Sequence, residues 1–96
     1  MKQITTLPQK HIFVCVNTRE QGACCLKVSG MDVFQKIKAY VLSHELAGRV
    51  WVTKTGCQGF CNDVGTTVTV YPEKKIYTEV KVEEVDSVLE AVLSGV

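Results

Sequence analysis

HIFVCV, residues 11–16, contains five consecutive apolar residues from Ile12 onward, three of them β-branched, and ends against a polar stretch that holds two cysteines. Such a run suits a strand buried on both faces of a sheet. RVWVT, residues 49–53, alternates instead, with Val50 and Val52 on one face and Trp51 on the other, which is the pattern of a second strand. Between the two, Val33, Phe34, Ile37, Tyr40 and Val41 recur at helical spacing. Ser29 is placed to cap that helix, with Asp32 three residues on completing a capping-box pattern. Leu46 and Ala47 finish it and Gly48 stops it. Strand, helix and strand form a βαβ unit, whose crossover is right-handed in nearly all cases and makes the two strands parallel.

Outward from this unit, residues 66–71 and 75–80 are strand-like runs joined by a turn that starts at Pro72, so they form a hairpin. Val82, Val85, Val88, Leu89 and Val92 mark one face of a closing helix that ends near Gly95, although its start offers no good N-cap residue. Residues 17–28 and 55–65 have no period and read as loops. The expected fold is α/β, with the order β-α-β-β-β-α and a central mixed sheet of four to five strands flanked by helices. Residues 1–9 show no sustained pattern and read as an N-terminal arm, leaving residues 10–96 as one domain.

Composition narrows the function. With 46% apolar and 22% charged residues the chain sits in the ordinary globular range. A formal charge of +1 gives no basic field of the kind nucleic-acid binding requires. No apolar run reaches the roughly 20 residues of a membrane span, and residues 1–10 lack the apolar core of a secretory signal. The expected location is the cytoplasm. Thiols stay reduced there, so five cysteines in 96 residues point to metal ligation or redox chemistry before structural disulfides.

Topology brings those cysteines together. In a βαβ unit the C-terminal ends of both strands lie on one edge of the sheet, where ligands collect in open α/β sheets. Cys15 ends the first strand, Cys57 and Cys61 follow the second, and Cys25 precedes the connecting helix. A helix N-terminus favours thiolate over thiol. Gly56, Gly59 and Gly65 flank and interrupt the Cys57 and Cys61 pair, where glycine lets backbone N–H groups approach anionic sulfur. Four thiolates suit an iron–sulfur cluster.

Other readings compete. Cys57 and Cys61 could be small buried hydrophobes, since free cysteine is among the most buried residue types. Four cysteines could hold structural zinc in a binding module, although zinc sites favour a two-residue gap in at least one pair and the gaps here are nine and three. A thiol oxidoreductase would normally carry Cys-x-x-Cys, a spacing no pair here has. His11 and His44 read as ordinary surface residues, and Trp51 and Phe60 as core or interface aromatics.

Three blocks carry a family resemblance: HIFVCV at 11–16, TGCQGFC at 55–61 and TVTVYP at 67–72. In this order and spacing they resemble the thioredoxin-like 2Fe-2S ferredoxins, whose domain recurs in a peripheral subunit of respiratory NADH dehydrogenases and in some hydrogenases. The likeness spans residues 11–93. It implies a thioredoxin-like fold, one 2Fe-2S cluster per chain, one-electron transfer between redox partner proteins with no enzymatic activity, and a homodimer. It also implies Cys15, Cys25, Cys57 and Cys61 as cluster ligands. Cys25 is preferred to Cys24 because counting back from Val33 and Phe34 reaches it without a gap. Two departures stand out: the segment from Cys15 to Cys25 is shorter than the family's, and Gly65 is followed by Thr66 where the family often has Gly-Pro. Arg19, Lys27 and Lys54, in or beside the ligand loops, imply a partner with an acidic docking face.

Overall fold

The computed structural model describes residues 1–16, 30–56, 58–59, 65–94 and 96. Its elements run β1 (Lys10–Cys15), α1 (Gly30–Ser43), β2 (Val50–Thr55), β3 (Thr66–Tyr71), β4 (Lys75–Val80) and α2 (Val85–Leu93), with a single 3-10 turn (Val82–Glu84) ahead of α2. The expected order therefore holds, and the sheet has four strands in the order β2-β1-β3-β4. β1 and β2 are parallel, with Lys10 level with Val50 and Cys15 level with Thr55. β3 runs antiparallel to both β1 and β4.

Alternation decides which side of the sheet is covered. Ile12, Val14, Val50, Val68 and Val70 face the helices and pack with Val33, Phe34, Ile37 and Val41 of α1 and with Val85, Leu89 and Val92 of α2. The opposite residues, His11, Phe13, Trp51 and Tyr71, form an aromatic cluster on the other face. His11 stacks on Phe13 at 4.0 Å and meets Trp51 edge-on at 5.5 Å, while Phe13 meets Tyr71 edge-on at 5.6 Å. His11 also shares a 2.8 Å hydrogen bond with Thr53 Oγ1. The expectation that His11 is an ordinary surface residue is thus corrected: it is half-buried between aromatic neighbours. His44 is exposed as expected and stacks on Tyr40. Trp51, 38% exposed, lies outside the core.

α1 ends earlier than Gly48 suggests. The Leu46 N–H donates to the Val41 carbonyl (2.8 Å) and the Glu45 N–H to that of Leu42 (3.2 Å). Together these form a Schellman motif, with Glu45 in the left-handed region at φ 56°. Leu46 leaves the helix yet stays in the core beside Val41, which is why its apolar character resembled helical periodicity. Ser29 lies outside the described residues, and Asp32 sits in the first turn. At the other end of the chain, the Lys81 N–H donates to Glu84 Oε1 (3.1 Å) and Lys36 Nζ donates to the Val82 carbonyl (3.2 Å). The first of these is a capping-box contact that partly replaces the missing N-cap residue of the closing helix, and the second ties its first turn to α1.

Candidate functional site

Four chain ends meet at one edge of the sheet. Cys15 and Val16 close β1, Gly30 opens α1, Thr55 and Gly56 close β2, and Gly65 leads into β3 at Thr66. The Val16 N–H donates to the Thr55 carbonyl (3.0 Å). The buried Thr66 hydroxyl donates to the Cys15 carbonyl (2.6 Å), tying the start of β3 to the end of β1. The segments bearing Cys24 and Cys25, and Cys57 and Cys61, both leave from this edge and return to it. Cys15 itself is fully buried. Cys24, Cys25, Cys57, Phe60 and Cys61 lie outside the described residues.

Side-chain direction adds a second constraint. Ile12 and Val14 point toward the helices, so Cys15 points to the opposite face, together with Phe13. Thr55 lies level with Cys15 on β2. On β3 the antiparallel register pairs Phe13 with Thr69 and Val14 with Val68, so the next step sets Thr67 opposite Cys15. Thr55, Cys15 and Thr67 thus form a row across three strands on one face.

Gln58, next to Cys57 in sequence, is fixed over that row. Its Nε2 donates to Thr55 Oγ1 (2.9 Å), and its Oε1 accepts from the Thr69 hydroxyl. Since Thr55 and Thr69 lie on opposite sides of β1, the carboxamide bridges them diagonally across that strand. Residue 58 is therefore held on the same face as the Cys15 side chain. Beside it an open hollow of about 370 Å³, lined partly by Phe13, Gln58, Tyr71 and Ile76, continues along the sheet.

The glycines divide by role. Gly59 has φ 92°, a conformation that L side chains rarely adopt, and nothing stands near the position of a Cβ. At Gly65 a Cβ would lie 2.5 Å from the Glu79 carbonyl carbon and 2.5 Å from Val80 O. β4 carries an extra residue opposite Thr66 to Val68, with Glu79 at φ 58°, and this bulge brings its backbone against Gly65.

Sequence reading passed over Thr55, Gln58, Thr67 and Thr69. Its one available signal was the alternation in TTVTV, residues 66–70, which puts Thr67 and Thr69 on a single face. Threonine is so common in strands that the pattern registers only as β propensity.

No protein-family model matches the chain. A 2Fe-2S ferredoxin of Clostridium pasteurianum is 35% identical over 88 residues, covering 88% of this chain and 84% of its own length. A 2Fe-2S ferredoxin of Aquifex aeolicus is 36% identical over 90 residues, covering 90% and 80%. The crystal structure of the wild-type thioredoxin-like [2Fe-2S] ferredoxin from Aquifex aeolicus superposes with a TM-score of 0.81 at 34% identity, over 93% of this chain and 89% of that one.

Proposed function

The chain belongs to the thioredoxin-like 2Fe-2S ferredoxin family, and from that premise we propose that it is a one-electron carrier holding one 2Fe-2S cluster through Cys15, Cys25, Cys57 and Cys61. The observation that carries the ligand assignment is the meeting of four chain ends at one sheet edge, with Cys15 buried there and Gln58 pinned over the same face. Four thiolates from two loops and a strand end match the donor chemistry of such clusters. The zinc-stabilised module and the thiol oxidoreductase draw no support from the comparisons.

A cluster held by these four thiolates would supply a one-electron redox centre. The chain's own residues set the conditions. Burial of Cys15 excludes water from one ligand. The start of α1 directs partial positive charge toward the same edge, which stabilises thiolate. The Thr66 hydroxyl fixes the carbonyl of Cys15 and so the strand end that presents its sulfur. No bond of a small substrate is made or broken, so the protein acts as a carrier and not as an enzyme. In an anaerobic reductive titration the purified protein should take up one electron per chain and return it to a protein acceptor; thiol-dependent disulfide reduction by metal-free protein would contradict the proposal.

The carrier works as a homodimer on this reading. Support comes from the sheet face without helices, where Trp51, Tyr71 and Ile76 are 38%, 41% and 51% exposed around an aromatic cluster. A face of this kind marks an interaction site. The redox partner presents acidic residues, as suggested by Lys54 beside the cluster edge and by Arg19 and Lys27 in the preceding loop. The compartment is the cytoplasm, in keeping with reduced thiols; among the described residues no helix is long and apolar enough to cross a membrane.

A further inference from the structure

Building on the assignment of Cys15 as a cluster ligand, we infer that the Thr67 hydroxyl donates a hydrogen bond to sulfur at the cluster site and raises its reduction potential. Thr67 is 1% exposed, and among the described residues its Oγ1 is the one buried side-chain polar atom without a hydrogen-bond partner. Its neighbours contrast with it. Thr66 donates to the Cys15 carbonyl, and Thr69 donates to Gln58. A buried hydroxyl left without a partner is unfavourable, and valine would fill the same space without that cost.

Position explains what the hydroxyl is for. The antiparallel register pairs Phe13 with Thr69 and Val14 with Val68, and one step further along it Thr67 falls opposite Cys15, on the same face of the sheet. Directly opposed residues in such a pair have Cβ atoms only about 4.5 to 5.5 Å apart. On its other side along β3 lies Thr69, tied to the residue that follows Cys57. The hydroxyl therefore lies between Cys15, at the strand end, and Thr69, which holds Gln58. Thiolate and sulfide are acceptors that a dry hydroxyl can reach there. Reduction adds one negative charge, so a donor to sulfur stabilises the reduced form more than the oxidised one, and hydrogen bonds to sulfur are an established determinant of cluster potential.

The test uses full-length, anaerobically purified, cluster-loaded protein as wild type, Thr67→Val and Thr67→Ser, with the potential read by titration monitored through the paramagnetic signal of the reduced form. Thr67→Val should keep iron and sulfide at wild-type stoichiometry, show a lower potential and alter the paramagnetic spectrum; Thr67→Ser should restore both toward wild type. A Thr67→Val protein with the wild-type potential and spectrum would overturn the inference while leaving the ferredoxin assignment intact. If Thr67→Val loses the cluster, Thr67→Ala decides: cluster retained at wild-type potential counts against the hydroxyl, and a lowered potential counts for it. Wild-type protein without iron and sulfide would instead remove the assignment on which the inference rests.

Discussion

At the scale of single residues, Cys24 and Cys25 pose the sharpest question. Adjacent side chains in an extended segment point in roughly opposite directions, so only one should reach the cluster. We expect Cys24→Ser to keep the cluster and Cys25→Ser to weaken or lose it, as read from visible absorption after anaerobic purification; the reverse result would exchange their roles. Gly65→Ala should destabilise the protein by about 1 to 3 kcal/mol, because the obstacle is the β4 backbone and not the end of a side chain. Chemical denaturation of the two proteins checks this. For His11, burial lowers the pKa from its ordinary 6.5. The folded state then binds fewer protons than the unfolded state below that value, so the stability present above pH 6.5 is lost as pH falls through the unfolded value toward the folded one. The melting temperature of wild type should therefore fall more than that of His11→Asn between about pH 7.5 and pH 5. Cys15 was legible as the end of an apolar strand. His11 and Thr67 were not, because their roles depend on cross-strand neighbours that sequence spacing does not reveal.

Among the elements, the sequence patterns located each strand and helix of the described residues, since period 2 and period 3.6 are dictated by which face meets the core. The ends were harder to read. Gly48 offered the obvious stop for α1, yet Glu45 takes the left-handed position and Leu46 re-enters the core. A glutamate in that conformation carries a backbone cost that glycine does not. Glu45→Gly should thus raise stability by about 1 kcal/mol, measurable as a shift in denaturation midpoint at constant slope. An unchanged or lowered midpoint would show that the Schellman geometry does not govern this helix end. The closing helix shows the converse case. Its start lacks a capping residue: Glu84, one turn inside, accepts from the Lys81 N–H, and Lys36 on another element anchors the Val82 carbonyl. Local sequence could suggest the first but not the second. The β4 bulge was likewise invisible, because Glu79 carries no glycine signal for its positive φ.

For the whole molecule, a net charge of +1 conceals an uneven distribution. Residues 1–56 hold eight Lys or Arg against three Asp or Glu, and residues 57–96 hold three against seven. The sheet order β2-β1-β3-β4 sets the strands of the basic part on one side and those of the acidic part on the other. Such a distribution orients an approaching charged partner, so transfer to an acidic acceptor protein should slow as ionic strength rises. A rate indifferent to salt would count against an acidic docking face. The exposed sheet face predicts assembly independently: Ile76→Lys should shift a dimer toward monomer in sedimentation velocity, and a wild-type protein that sediments as a monomer would exclude the homodimer. The edge shared by the ends of β1 and β2 was legible early, because a βαβ crossover makes its two strands parallel. The identity of the metal centre was not, since sulfur ligands serve iron and zinc alike and only the family likeness distinguishes them. The most direct test is iron, acid-labile sulfide and zinc analysis of anaerobically purified protein. Reddish-brown protein with two irons and two sulfides per chain is the predicted result; colourless protein with stoichiometric zinc would contradict it.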